Sequence, residues 1–291
     1  MSGRVGLIGL GIMGQAMANN LLAAGFEVVG HDISAKAMAA FRGTPAASAA
    51  AVAAEVILTS LPSTAALNAV VAELAASPRP GTILAETSTF PIADKIRARD
   101  TLAAAGITML DCPLSGSGSQ AKLRDVLVYA SGPREAYDRC LPVFRGFSRA
   151  PHHLGEFGNG SKMKFVANLL VAIHTAAAGE AFALARKAGL DPAQMLAVVA
   201  DGAGGSRALQ VRGEMLVADR YTPVQTMPLD LWRKDMRVIA DFADALACPT
   251  PVFAATVPLF NAAIAGGLGA EDTAAVCAVI EAMAGLPRAG D

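Results

Sequence analysis

Residues 4–32 alternate in a way that few folds accommodate. Arg4-Val5-Gly6-Leu7-Ile8 is an apolar run of strand type, and it passes without a break into Gly9-Leu10-Gly11-Ile12-Met13-Gly14, a G-x-G-x-x-G. Residues 15–24 then read as a helix stopped by Gly25, and residues 26–32 as a second strand ending in an acid, Asp32. Strand, glycine turn, helix, strand and acid within about 30 residues is the setting in which such glycines bind a dinucleotide. Gly9 permits the tight turn, Gly11 lets a pyrophosphate approach the amides at the helix start, and Gly14 lets helix and strand pack closely. Asp32 would accept from the adenosine ribose hydroxyls and repel a 2′-phosphate. Ile33 after it brings no compensating arginine, so NAD is expected over NADP, with Lys36 leaving NADP open.

The alternation continues. Helices are expected at 34–41, 48–54, 64–76, 92–105 and 134–144, and strands at 55–60, 82–85, 107–110, 127–130 and 152–154. This is the α/β class: a doubly wound, mostly parallel sheet. In such sheets ligands collect beyond the C-terminal ends of the strands, where Leu61-Pro62-Ser63 and Glu86-Thr87-Ser88-Thr89 lie. The small residues of Asp111-Cys112-Pro113-Leu114-Ser115-Gly116-Ser117-Gly118-Ser119-Gln120-Ala121 suit a carboxylate nest, or a flexible glycine–serine loop. Cys112, beside a proline and with no base nearby in sequence, reads as a packed thiol.

From Ser161 the pattern becomes helix after helix. Residues 162–187 suit one helix of about 39 Å, long enough to become the spine of a second domain. Asp191-Pro192 starts the next, and helices follow near 207–217, 229–246, 251–265 and 273–284. The expected organisation is therefore a dinucleotide-binding domain over 1–160 and an all-α domain over 161–291 on the connecting helix. In that helix Lys164 and Asn168 stand four residues apart on one face and could hold a small polar substrate. On spacing alone, two solvated polar residues after a glycine turn are the plainer account, as is a solvated charged face for Arg233-Lys234-Asp235.

Aromatics at 5% and a formal net charge of −1 with no run of like charge give no footprint for nucleic acid or an anionic membrane. The four cysteines are scattered, so no metal set and no disulfide framework is expected, and reduced thiols in a cytoplasmic protein are the simplest account. Neither a signal peptide nor a membrane span is expected, since apolar runs are broken by glycines or by Asn168, His174 and Glu180.

Four motifs, Gly9–Gly14 with Met17-Ala18-Asn19-Asn20-Leu21, residues 111–121, residues 158–168 and Lys234-Asp235-Met236, stand in the order seen in the β-hydroxyacid dehydrogenase family, which the chain resembles over nearly its whole length. The resemblance implies a Rossmann domain, an all-helical domain, a homodimer or homotetramer formed through the latter, and hydride transfer between NAD(P) and a small 3-hydroxy acid. It implies Lys164 as general acid/base with Asn168 beside it, and Ser115, Gly116 and Ser117 as the substrate-carboxylate loop. Leu61, Pro62 and Thr89 would line the nicotinamide and its ribose, Ile12 and Met13 the glycine turn, and Lys234 would reach cofactor and substrate. An ammonium of ordinary pKa near 10.4 is a poor base at pH 7, so burial, the cofactor's positive ring and Lys234 are expected to lower it. The sequence departs from the family pattern at Ser117, where a second glycine is usual, at Arg124-Asp125-Val126, and at Ala167. Two other readings are an oxidative decarboxylase of the 6-phosphogluconate type, disfavoured by the shorter chain, and a non-catalytic dinucleotide-binding module.

Overall fold

Strands that are buried at every position are covered on both faces. Val56–Thr59 (β4) and Ile83–Glu86 (β5) are buried at all four positions, and Arg4–Ile8 (β1) at all but the first. With Glu27–His31 (β2), Thr44–Pro45 (β3) and Thr108–Asp111 (β6) they form a parallel sheet in the order β3-β2-β1-β4-β5-β6. The order reverses between β1 and β4, and sheets of this kind bind their ligands at such a switch point. Successive side chains divide between two cores. Leu7, Leu58 and Ala85 pack with Met17 and Leu21 of Ile12–Ala23 (α1) and Phe144 of Arg134–Phe147 (α6). Ile8, Ile57 and Leu84 pack with Leu67 of Thr64–Ala76 (α3) and Leu102 of Ile92–Ala104 (α4). Each such aliphatic side chain contributes about 1.5–3 kcal/mol by leaving water.

The computed structural model describes residues 3–221 and 227–286, and the chain divides into two compact units, Met1–Lys164 and Phe165–Asp291. In the first, Ser34 caps Ala35–Ala40 (α2) by accepting from Ala37 N. A second, smaller sheet was not expected from the sequence: Leu114–Ser115 (β7) runs antiparallel to Leu127–Ala130 (β8), which pairs in parallel with Ala150–His153 (β9).

One expected helix is absent. Residues 48–54 form turns closed by Ala51 N donating to Ser48 O and Val52 N to Ala49 O, and the segment before them supplies β3. Alanine favours helix here, but Arg79 donates to the carbonyls of Ala50 (2.8 Å) and Val52 (3.1 Å), and Val52 is fully buried. Tertiary contacts outweigh propensity in so short a segment.

The second unit is helical, with Pro192–Ala200 (α8), Arg207–Ala218 (α9), Leu229–Ala245 (α10), Pro251–Ala263 (α11) and Val276–Met283 (α12). The connecting helix, Asn159–Lys187 (α7), has 29 residues. By length and apolarity α7 and the segment 251–268 would pass as membrane spans. Yet α7 carries Asn168 buried against Asp235 and Arg186 paired with Glu281, as the core helix of a folded helical unit would.

Candidate active site

The glycine turn is built as its spacing requires. Gly9 has φ +90°, and a Cβ there would lie 2.2 Å from Ser60 O. A Cβ on Gly14 would lie 2.0 Å from Gly9 O, so this glycine serves the closeness of α1 to the turn itself. At Gly11 nothing lies within 4 Å of the Cβ position, and α1 begins at the next residue with no side-chain cap. A helix start with open space and amides unused by side chains fits a pyrophosphate. Ile12 is exposed and Met13 half-buried on the first turn of α1. Asp32 lies just past β2; its Oδ2 accepts from Leu10 N at 2.6 Å and its Oδ1 from Ser34 N at 2.7 Å. Its carboxylate thus also braces the glycine turn, a duty its place in the sequence did not reveal.

Beyond β4, Leu61 is half-buried and Pro62 exposed, and Leu61 N donates to Ser88 Oγ at 2.8 Å. Thr89 is buried beyond β5. Beneath these turns lies a cluster that the sequence reading passed over. Lys95 of α4 is fully buried, with its Nζ 2.7 Å from Ser88 O, 2.7 Å from Asp111 Oδ1 and 2.7 Å from Glu86 Oε2. Burial alone pushes this ammonium down, but the Asp111 and Glu86 carboxylates more than reverse that and hold its pKa above the ordinary lysine range. Glu86 Oε1 accepts from Ser88 N at 2.8 Å, which completes the turn. A signal for this cluster was present: Lys95, Ala98 and Leu102 fall on one helical stripe, and all three are buried.

Asp111 ends β6 and faces the start of α7. Its Oδ2 accepts from Ser161 N at 2.7 Å, and its Oδ1 from Ser161 Oγ at 2.8 Å. Ser131 Oγ accepts from Gly160 N at 2.9 Å. Two amides of the first helical turn, which no helical carbonyl can serve, are thereby satisfied. Lys164, one turn on, is 8% exposed.

The serine loop lies in the same unit. Ser115 and Gly116 are half-buried at the end of β7. Ser117 caps Gly118–Lys122 (α5) in a capping box: its N donates to Gln120 Oε1 at 3.0 Å and its Oγ accepts from Gln120 N at 3.4 Å. Its polar groups are thus engaged within the loop. Asn20 of α1 donates to Ala121 O at 2.7 Å and ties the loop to the glycine-turn helix. Cys112 is fully buried, and burial pushes its thiol well above the ordinary range.

In the helical unit, Asn168 Nδ2 donates to Asp235 Oδ2 at 3.0 Å, and Lys234 Nζ lies 3.3 Å from Asp235 Oδ1. Asn168 and Asp235 are buried, while Lys234 is partly exposed. One carboxylate therefore fixes both sequence-identified residues of this unit. Asp235 could have been singled out as the charged member of the buried Trp232–Met236–Ile239 stripe.

Residues 4–155 match the profile of the NAD binding domain of 6-phosphogluconate dehydrogenase, and residues 158–280 that of the NAD-binding region of NADP-dependent 3-hydroxyisobutyrate dehydrogenase. L-threonate dehydrogenase of Cupriavidus necator is 34% identical over 95% of this chain and 95% of its own. The chain belongs to the β-hydroxyacid dehydrogenase family. Another relative, 2-(hydroxymethyl)glutarate dehydrogenase of Eubacterium barkeri, is 28% identical over 99% of this chain and 98% of its own. The crystal structure of 3-hydroxyisobutyrate dehydrogenase from Salmonella typhimurium superposes with a TM-score of 0.85 at 32% identity, covering 96% of this chain and all of that one. This β-hydroxyacid dehydrogenase is an NAD(P)-dependent oxidoreductase acting on a hydroxy acid. Three of the residues that depart from the family pattern have defined local settings. Ser117 caps α5, Arg124 takes a left-handed turn with φ 59°, and Asp125 accepts from Gln120 Nε2 at 3.2 Å and from Arg149 Nε at 2.9 Å.

Proposed function

We propose that this dehydrogenase oxidises a short-chain polyhydroxy acid of the L-threonate type with Lys164 as general base, and in reverse reduces the oxo acid with Lys164 as general acid. The reading is supported above all by the placement of Lys164, buried one turn into a helix whose first amides are held at the end of β6. The bound nicotinamide supplies the hydride acceptor. Lys164 Nζ takes the hydroxyl proton as the carbinol C–H bond breaks, so that the oxygen becomes a carbonyl; in reduction the same amine returns the proton. Ser115 and Gly116 receive the substrate carboxylate, with Ser117 shaping the loop. Asn168 orients the reacting hydroxyl, and Lys234 adds positive charge for the acid. Orientation and charge placement carry most of the rate enhancement contributed by the protein.

The Asp32 carboxylate would repel a 2′-phosphate, which favours NAD over NADP. The choice of a polyhydroxy acid rests on several L-threonate dehydrogenases from different bacteria at 31–34% identity. Exposed Leu184, Val198, Leu246 and Val252 of the helical unit support a homo-oligomer formed through that unit, and four free cysteines support a cytoplasmic setting. The test is a spectrophotometric screen of L-threonate, other aldonates and simple 3-hydroxy acids, with NAD and NADP in parallel. Lys164→Ala should lower kcat by about 10²–10⁴ while NADH still binds. A Lys164→Ala enzyme with near-normal turnover would refute the acid–base assignment.

A further inference from the structure

Lys95 is a buried cation with no part in the chemistry just described, and it joins two of the turns on which that chemistry depends. Through Ser88 and Glu86 it fixes the turn after β5, whose Ser88 Oγ holds Leu61 N of the turn after β4. Through Asp111 it fixes the start of α7. The contact is tight: a Cβ on Gly160 would lie 2.2 Å from Tyr129 O and 2.7 Å from Asp111 O, so the first turn of α7 rests directly on the strand ends.

We propose that Asp111, clamped by Lys95, is a positioning residue for Lys164: it caps α7 and sets the height and rotation at which the amine stands over the strand ends. Two carboxylates share one ammonium here, and the remaining negative charge is met by Ser161 N–H and the positive end of the α7 dipole. A capped first turn cannot unwind or shift without leaving Asp111 with a lost partner in a dry site. Lys164, on the following turn of the same helix, inherits that fixity. The proposal rests on the acid–base reading of Lys164, and the experiment separates the two.

The experiment is a double-mutant cycle on the full-length enzyme, with kcat expressed per NADH-binding site. Asp111→Asn, which keeps the shape but replaces an accepting oxygen by a donor, should lower kcat by about 10–100-fold with KM for the hydroxy acid within about threefold, since a misplacement near 1 Å costs that much. In a Lys164→Ala background the same change should cost less than about twofold, because the residue it positions is gone. If Asp111→Asn does not fold, Ser161→Ala takes its place, with a loss of at least about fivefold that Ser161→Thr restores and Lys164→Ala abolishes. Equal losses in both backgrounds, or wild-type turnover in Ser161→Ala, would overturn the positioning role while leaving Lys164 as acid/base. Near-normal turnover in Lys164→Ala alone would overturn both.

Discussion

Replacing Lys95 by methionine removes a charge and keeps most of the length of the side chain. The ammonium and both carboxylates are inaccessible to solvent, so nothing outside the protein replaces the lost partner. Removing one member of a buried ion pair costs about 3–5 kcal/mol, and here the member removed serves two carboxylates and a carbonyl, which points to the upper part of that range. Against a stability of about 5–15 kcal/mol the variant still folds, and at about 2–4 °C per kcal/mol its Tm should fall by about 10 °C or more. The lysine pKa is raised above 10.5, so its contribution is fully present below that value and is lost only as pH rises through the still higher folded value. The gap in Tm between wild type and variant should therefore be fully present from about pH 5 to about pH 9. Adding Glu86→Gln should recover part of the loss. Scanning calorimetry across this pH range decides the matter: a drop of less than about 3 °C would show that Lys95 does not anchor the cluster.

Other expectations follow from the same geometry. Gly11→Ala should leave Tm unchanged and weaken NADH binding by about tenfold or more, because its Cβ meets no protein atom but occupies the open space at the start of α1. Gly14→Ala, whose Cβ would press on Gly9 O, should lower Tm as well as NADH affinity; fluorescence titration and thermal melts separate the two variants. Thiol labelling of the native enzyme near about pH 8 should modify Cys248 and spare Cys112, Cys140 and Cys277, which are buried and whose pKa values burial raises, that of Cys140 to about 12. Mass spectrometry of the alkylated protein checks this.

What the sequence disclosed was local in character. The glycine turn, the strand–helix alternation and the change to pure helix at the third quarter of the chain are written in short-range patterns, and α3 runs over the expected residues 64–76. The small second sheet escaped because β7 is two residues long and pairs with a strand beyond an intervening helix. The Lys95 cluster escaped because lysine is read as a surface residue by default, and its partners Glu86 and Asp111 lie on separate strands. The motifs single out Lys164 and Asn168, but not the contacts of Asp111 with Ser161 and of Asp235 with Asn168, which depend on which strand end or helix face meets which.

The Lys95 cluster also bears on how this enzyme can be altered, in the laboratory or by descent. Positions 86, 95 and 111 share one balance of charge in a site closed to solvent, so no one of them can drift alone at low cost. A change at one opens a path only for changes at the others, and a sequence with an apolar residue at 95 should also have lost an acid at 86 or 111. Redesign around Ser117 is free of that constraint, since its capping contacts are made with Gln120 alone in its own loop.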